Sequence, residues 1–308
     1  MNHVRKILTT TLTLTILIPH LCQAQAGKSG VAFLKLGVSG RALAMGEAMS
    51  ANVSGAAATY YNPAGILSPL GGSSTQLMFM HKEWIQETRV EFLAASIPLG
   101  SNDAIGFALN STTISDIEIR TRPGTPEGTF TARNFSLGAS YAHSFSEDLR
   151  VGLTGKLLYQ KILVDESSGF AFDIGGQYRT SIEDLTIGAA VVNLGSMRGL
   201  RGGKTTLPSL VRIGPAYSFQ LENITSQLAL ASDYVFIFPE RKSYLNVGSE
   251  LAFNQIVAAR LGYQFGSEGR GLAVGLGISH GIFALDYAYS HLSADLGNTH
   301  ALSIALNL

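Results

Sequence analysis

The feature that most constrains this chain is a period-two alternation of side chains, which runs from about residue 75 to the C-terminus. In residues 257–265, one face carries Val, Ala, Leu, Tyr and Phe, and the other carries Ala, Arg, Gly and Gln. Successive side chains of a strand point to opposite faces, so this pattern predicts strands with one apolar face. The same alternation recurs in residues 151–160, 211–219, 283–290 and 302–308.

The second face of these strands is not typical of a soluble sheet. It carries mainly Gly, Ala, Ser and Asn with isolated charges, whereas a face in bulk water is rich in Lys, Glu and Thr. Charged residues make up 14% of the chain, below the roughly 25% of soluble domains. An apolar band facing lipid around a small-residue, polar interior explains both observations. A soluble β-sandwich is the alternative fold. The zero net charge does not favour nucleic acid as a partner.

The alternating segments number about fourteen, and an even number of strands can close into a barrel whose backbone groups all pair inside lipid. The sequence therefore predicts an all-β membrane protein, an antiparallel outer-membrane β-barrel with outer-membrane lipid around it. Short polar turns at 100–102, 146–148 and 181–184 are expected at the periplasmic end, and long loops at 115–132 and 195–207 at the extracellular end. The predicted strands are 75–83, 89–97, 103–112, 133–145, 149–163, 169–178, 185–193, 210–219, 226–238, 243–252, 255–263, 271–279, 283–290 and 300–308.

Residues 1–26 have the order of a secretory signal peptide. Two basic residues precede an uncharged stretch over residues 7–18, and small residues follow, so cleavage is predicted after Ala24 or Ala26. The apolar stretch is too short for a membrane anchor. A lipoprotein would use Cys22, the only cysteine, but residues 19–21 before it are not the small ones that such a signal needs.

Residues 27–73 do not continue the alternation and are predicted to form a small helical plug, with the barrel over 74–308. The segment is rich in Ala and Gly and has too little apolar surface to fold alone, but it could pack inside a lumen. Asn62 followed by Pro63 predicts a helix start, with Asn as the cap and Pro at the first helical position. Ser54 is expected to cap a second turn over residues 56–59.

Two blocks of this segment resemble the N-terminal signature of the PorV/PorQ family, within the FadL-like outer-membrane β-barrel superfamily. They are FLKLGVSGRALAMG at 33–46 and ATYYNPAG at 58–65. The resemblance implies a fourteen-stranded barrel with an N-terminal plug or hatch, acting as a component or shuttle of type IX protein secretion that receives secreted cargo proteins. In the FadL branch, similar barrels take up long-chain fatty acids or other hydrophobic compounds, which is the alternative function. The motif residues that carry the resemblance are Phe33, Leu34, Arg41, Asn62, Pro63 and Gly65.

The sequence offers little for catalysis, so no enzyme, cofactor or metal is expected. The histidines after the signal segment do not pair at metal-ligand spacing on a helix, and no His/Cys cluster occurs in the sequence. Charges expected to face the lumen are the remaining candidates, and they carry both signs. Most are expected to form ion pairs across the lumen and hydrogen bonds to the plug, with ligand contacts as the alternative. They are Glu91, Lys156, Asp173, Arg212, Asp233, Glu250, Arg260 and Asp286.

Overall fold

The structure, a computed structural model, describes residues 27–67, 74–221, 226–267, 269–293 and 296–308, so the predicted signal peptide lies outside the described residues. Strands account for most of the described chain. Their bounds are β1 (Gln76–Glu83), β2 (Thr88–Pro98), β3 (Asp103–Ile119), β4 (Gly128–Ser144), β5 (Leu149–Ile162), β6 (Asp165–Arg179), β7 (Leu185–Arg198), β8 (Lys204–Thr205), β9 (Leu210–Leu221), β10 (Ser226–Ile237), β11 (Lys242–Phe253), β12 (Val257–Phe265), β13 (Leu272–His280), β14 (Phe283–His291) and β15 (Asn298–Asn307).

Fourteen of these strands close into one antiparallel barrel, which confirms the predicted fold class and strand number. Strands that follow each other along the chain pair side by side, and β1 closes the cylinder by pairing with β15 from Gln76↔Asn307 to Glu83↔His300. The two-residue strand β8 pairs only with β7 and lies in the connection to β9. Closure satisfies the backbone groups of every wall strand, which a sheet in lipid requires.

The two ends of the barrel differ, and we call them the turn end and the loop end. The turn end holds the start of β1, the end of β15 and the short turns such as 99–102 and 145–148. The loop end holds the connections 120–127 and 199–209. Because outer-membrane barrels have short periplasmic turns and longer extracellular loops, we assign the turn end to the periplasm.

The long loops predicted at 115–132 and 195–207 are wrong in extent. Strand β3 continues to Ile119 and β4 begins at Gly128, so that connection shrinks to eight residues, 120–127. The pairing shifts between Ile114 and Ile117, and Asp116 adopts a φ of 55°, as in a β-bulge that lets the ladder resume. Pro123, Gly124 and Pro126 lie in the remaining connection, and Gly128 begins β4. Strand β7 extends in the same way to Arg198.

The outward face of the wall is apolar, as the alternation predicts. On β5, Leu153 and Leu157 are 54% and 63% exposed, whereas Thr154 and Lys156 between them are buried. Outward aromatic side chains lie toward both ends, among them Tyr141 near the turn end. Such a surface suits hydrocarbon and not water. Among the described residues, no helix is long and apolar enough to span a bilayer.

Residues 27–67, which we call the plug, lie inside the barrel. Their side chains form one apolar cluster with the inner wall, in which Val38, Met45 and Tyr61 meet Met80 and Phe92. The helical pieces are at most five residues long, so their stability comes from contact with the wall and not from helix propensity. They are Ala32–Lys35, Gly40–Ala44, Gly55–Ala57, Ala58–Tyr61 and Pro63–Ile66.

One of the two predicted caps is present. The Asn62 side chain accepts a hydrogen bond from Ala64 N at 3.2 Å, and Pro63 begins the short helix, which confirms that helix start. The Ser54 cap is wrong, since its side chain makes no capping hydrogen bond. The free amide of Ala56 instead donates to Gln76 Oε1 at the start of β1, so a wall side chain replaces the local cap.

The plug fits because inward glycines bring its backbone against the wall. A Cβ on Gly188 would lie 2.0 Å from Ser50 O, and one on Gly262 would lie 2.1 Å from Gly46 N. No side chain fits at those distances. We call this set the glycine belt, and seven strands contribute to it: Gly106, Gly152, Gly175, Gly188, Gly248, Gly262 and Gly275.

Candidate functional site

Among the described residues, two cavities on opposite sides of the plug form the candidate functional site. The vestibule, at the turn end, has a volume of about 500 Å³ and is lined by polar side chains such as Arg150, Gln177 and Gln227. The outer cavity, at the loop end, has a volume of about 190 Å³ and has apolar side chains such as Val235 and Ile237 in its wall. The lumen is therefore polar toward the periplasm and more apolar toward the exterior.

An ion-pair network that we call the latch ties the plug to the wall beside the vestibule. Arg41 of the plug donates to both carboxylate oxygens of Glu250 on β11, at 2.8 and 2.9 Å. Arg260 on β12 shares Glu250 and also pairs with Asp286 on β14 at 2.7 Å. The charge of Glu250 raises the pKa of Arg41 above its ordinary value although burial opposes this, so the guanidinium stays protonated. The latch therefore balances two cations with two anions.

A buried carboxylate on β10 holds the turn of the plug at Met49 and Ser50. Asp233 accepts hydrogen bonds from Met49 N at 2.9 Å and Ser50 N at 2.8 Å, and also from the Ser50 hydroxyl. Gln177 on β6 donates to backbone carbonyls of the same turn, including Val53 O at 3.0 Å. The plug backbone in this turn lies outside any helix or strand. Wall side chains therefore supply the hydrogen bonds that its buried N–H and C=O groups require.

A second buried ion pair lies in the wall itself. Lys156 Nζ on β5 is 2.6 Å from Asp173 Oδ2 on β6, and both side chains are almost fully buried. Asn193 adopts a φ of 61° where the pairing of β6 with β7 shifts. Its backbone N–H donates to Asp173 at 2.8 Å, and its side chain accepts from Lys156 at 3.0 Å. This pair therefore serves a bulge of the barrel wall and not the plug.

Toward the loop end, the first residues of the plug are held by charged and aromatic groups. Lys82 on β1 donates to Gly37 O at 2.7 Å, and Arg270 pairs with Glu47 at 2.6 Å. Both cations lie over the ring of Trp84, the only tryptophan, at 5.1 and 4.9 Å from its centroid. The plug is therefore anchored at both levels of the lumen, by the latch and by this group.

A separate tie joins the plug to a loop. Lys35 and Ser29 both donate to Glu240, which lies between β10 and β11. Partial burial acts to raise the pKa of Glu240, but the hydrogen bonds and the positive charge of Lys35 outweigh it and hold the pKa below its usual value. Glu240 is therefore a carboxylate at neutral pH.

Arg212 on β9 has no salt-bridge partner, and unlike Lys82 and Asp233, which also lack one, it leaves hydrogen-bond donors unused. It is 5% exposed, its Nε and Nη1 atoms have no hydrogen-bond partner, and it lies over the Tyr61 ring with its guanidinium carbon 4.9 Å from the centroid. It lines the outer cavity. Asn246, also on the cavity wall, has a buried side-chain oxygen without a partner.

The structure brings the predicted motif residues together in the plug but gives them different tasks. Phe33 and Leu34 are buried at the loop end with Leu207 of the wall connection. Asn62 and Pro63 lie against belt glycines of β5 and β6, and Gly65 packs so closely that a Cβ there would lie 2.4 Å from Val53 O. Arg41 alone reaches charged wall residues.

The lumen-facing candidates divide into three groups, and one prediction about them is wrong. Glu250, Arg260 and Asp286 form the latch, Lys156 and Asp173 support the wall bulge, and Arg212 and Asp233 face the plug and outer cavity. Glu91 does not face the lumen, since it lies on the outward face of β2 beside His81, with its side chain 41% exposed. Val90 and Phe92 form the inward face of β2.

Sequence reasoning missed several wall groups that hold the plug. Lys82 and Arg150 could have been found, because they alternate in phase with the buried Met80 on β1 and with Lys156 on β5. Arg270 lies between β12 and β13, where no alternation applies, so the pattern gives no signal for it. In the described part of the chain, no group of three or more His, Cys, Asp or Glu side chains could hold a metal ion.

Comparison with solved structures identifies the fold. The toluene transporter TbuX of Ralstonia pickettii matches with a TM-score of 0.59 at 14% identity, over 88% of this chain and 97% of that chain. The CymD monoaromatic hydrocarbon channel matches with a TM-score of 0.62 at 12% identity, over 88% and 97%. The toluene transporter TodX of Pseudomonas putida matches with a TM-score of 0.59 at 12% identity, over 87% and 96%. The chain is an outer-membrane barrel.

These likenesses extend over nearly the whole of each channel, so the outer-membrane barrel shares their complete fold and not one part of it. At such low identity they establish the fold alone. The sequence matches no known family model and no curated protein. The assignment to the PorV/PorQ family stays a prediction from the two N-terminal blocks.

Proposed function

We propose that the protein is an uptake channel for small hydrophobic compounds across the bacterial outer membrane. The observation that carries the proposal is the outer cavity, a space of about 190 Å³ at the loop end whose wall includes Leu34, Leu210, Val235 and Ile237. These apolar side chains share the wall with charged and polar ones such as Arg212 and Asn246, and a small-molecule site usually combines apolar walls with positioned polar groups. The fold supports the same function, because TbuX and TodX are described as toluene transporters.

The plug would regulate passage in this proposal. It separates the outer cavity from the vestibule, so a compound that enters from outside meets Leu34 and Tyr60 of the plug first. The latch beyond it consists of ion pairs that can dissociate without breaking covalent or backbone structure. A shift of the plug on the latch side would join the two cavities into one path.

Type IX secretion remains a hypothesis that rests on the two N-terminal blocks alone. No solved structure described above is a secretion component, and the cavities are too small to hold a folded cargo domain. Deletion of the gene and measurement of cargo export would test it. Normal release and surface attachment of cargo with a C-terminal secretion domain would contradict a shuttle role.

The uptake proposal is tested with a pair of variants on one strand. Val235→Trp fills the outer cavity, whereas Tyr234→Trp places the same side chain on the outward face of β10. We measure uptake of radiolabelled toluene by host cells that lack a hydrocarbon channel and express each form. The wild type and Tyr234→Trp should accelerate uptake equally, and Val235→Trp should lose most of the gain.

Heat-modifiable gel migration of each variant from the outer-membrane fraction confirms that a closed barrel is present. If wild-type cells take up toluene, cyclohexane and a long-chain fatty acid no faster than cells without the protein, the uptake proposal is wrong. If uptake is fast but equal in all three forms, the path does not include the outer cavity.

A further inference from the structure

The unpartnered guanidinium in the outer cavity carries an inference about the chemical class of the ligand. Arg212 is more than nine-tenths buried and lines the cavity, yet two of its donor nitrogens meet no acceptor. Within the described residues, no carboxylate lies within ion-pair distance of Arg212. A buried cation in this state is costly unless a counter-charge arrives.

The nearest acidic side chain is already used. Asp233 on the adjacent strand accepts three hydrogen bonds from Met49 and Ser50 of the plug, so its oxygens are committed to the plug turn. Contact with the Tyr61 ring fixes one side of the Arg212 guanidinium. An arginine held by an aromatic ring keeps the planar fork that binds carboxylates. The unused Nε and Nη1 donors are buried, so the side chain must turn toward the cavity to present them to a ligand.

The other charges at the cavity are neutralised. Lys35 pairs with Glu240 and Arg270 pairs with Glu47, so the positive charge of Arg212 is the one without a counter-ion among the described lining residues. The negative charge of Asp233 acts on Arg212 from beyond hydrogen-bond distance, so the cavity accepts at most one further negative charge. A divalent anion would bring one charge more than the cavity neutralises.

The size and walls of the cavity limit the rest of the ligand. Its volume of about 190 Å³ is below the roughly 300 Å³ of the smallest pockets for drug-sized ligands. An apolar protein cavity of about 150 Å³ accommodates benzene, so one ring with a small substituent fits here. A long acyl chain would extend beyond the cavity.

Resting on the proposed uptake function, we propose that the outer cavity selects a small apolar monocarboxylate, such as an aromatic acid. The ring lies against Leu210, Val235 and Ile237, and the carboxylate accepts hydrogen bonds from Arg212. Neutral hydrocarbons have no group that Arg212 can bind, so they are selected only by their shape.

The test compares benzoate with benzamide, which has the same shape but no charge. We titrate each into the purified full-length mature barrel in detergent by isothermal calorimetry and follow the fluorescence of Trp84 as a second readout. The wild type should bind benzoate at least about tenfold more tightly than benzamide, since a hydrogen bond to a charged group is worth that much. Arg212→Gln should remove the preference, and Arg212→Lys should restore part of it.

Arg89→Gln is the matched control, because Arg89 lies on the exposed face of β2 outside the lumen. It should bind benzoate as the wild type does. Equal affinity of the wild type for benzoate and benzamide overturns the carboxylate proposal, and so does an unchanged preference in Arg212→Gln. If Arg212→Gln does not form a closed barrel, Val235→Trp replaces it, and benzoate binding that survives the filled cavity overturns the proposal as well.

The uptake experiment distinguishes a failure of the carboxylate proposal from a failure of the proposed uptake function. If toluene uptake depends on the outer cavity but benzoate shows no preference, the channel stands and the carboxylate selection falls. If benzoate binds selectively at Arg212 but neither benzoate nor toluene crosses the membrane faster, the cavity is a binding site and the channel function falls.

Discussion

The two parts of the plug are held by different forces. Residues 27–47 contain Lys35, Arg41 and Glu47, each of which pairs with an opposite charge of the wall or a loop. Residues 48–67 contain no charged residue at all. This neutral part is held without ion pairs, by close contact with the belt glycines of β3, β5, β6 and β7 and by hydrogen bonds from wall side chains such as Gln177. The belt glycines of β11, β12 and β13 contact residues 44–46 of the charged part.

The difference shows which part of the plug can respond to conditions. Ion pairs weaken when a partner is neutralised or a competing charge arrives, whereas close packing depends on shape alone. We therefore expect residues 27–43 to move during transport and residues 44–67, which the belt glycines touch, to stay on the wall as the anchor. The following changes test this division, from the largest expected effect to the smallest.

Glu250→Gln should have the largest effect. It removes the carboxylate shared by Arg41 and Arg260 and leaves two nearly buried guanidinium groups with one remaining anion. Loss of one partner of a buried pair costs about 3 kcal/mol or more. We expect a lower unfolding midpoint in urea and larger single-channel conductance in a planar bilayer, because the plug loosens beside the vestibule.

Glu166→Gln is the control for that substitution. Glu166 pairs with Lys161 at the exposed loop end, so its loss should leave the urea unfolding midpoint unchanged. Conductance equal to that of the wild type in both variants would show that the latch does not hold the plug.

Gly188→Ala tests the neutral part. The new methyl group would lie 2.0 Å from Ser50 O, so plug or wall must shift. Overpacking of this kind costs about 1–3 kcal/mol. Gly138→Ala is matched to it, because Gly138 also faces inward but its nearest neighbour lies 3.6 Å away. Urea unfolding should separate the two variants, and equal midpoints would mean that the plug does not fit tightly at the belt.

Asn62→Ala should have a smaller effect, of about 1–2 kcal/mol. It removes the helix cap and the hydrogen bond to Gly176 O, and it leaves Ser50 O with the donor of Gln177 alone. Ser54→Ala should be neutral in the same urea measurement, because Ser54 makes no capping hydrogen bond. The reverse order of the two would contradict the cap assignment.

The ion pair of Lys35 with Glu240 should have the smallest effect, which appears only as a dependence of stability on pH. The pKa of Glu240 is depressed in the folded protein, so its contribution to stability is present above its ordinary value of 4.5 and is lost as the pH falls through the folded pKa. We expect a change of less than about 1 kcal/mol between neutral pH and the region below the ordinary value. Thermal unfolding of the wild type and Glu240→Gln, recorded across this range, should converge at low pH. A constant difference would assign the effect to another group.

The barrel could be predicted from the sequence because its signal is repeated on every strand. The alternation in residues 151–160 and 257–265 predicts which side chains meet lipid, and the structure confirms those faces. Glu91 was assigned to the wrong face because a charge was taken as a sign of the interior. The register of Val90 and Phe92 decides the face, and it places Glu91 outside.

The candidate site could be predicted only in part. Arg212 was recognised as a lumen charge, but its lack of a partner follows from Asp233 bonding to the plug turn, which no local pattern reveals. Arg270 lies in a connection and gains its meaning from Glu47 in the plug. The site arises from contacts between distant parts of the chain, so spacing along the sequence carries little information about it.

The glycine belt also constrains the order of assembly. Glycines from seven strands touch the plug, so no space remains for plug side chains to pass through a barrel that has already closed. The cylinder is sealed where the first strand joins the last, so the seal can form only after the whole chain has been synthesised. We therefore expect the wall strands to assemble around the plug, which serves as their template.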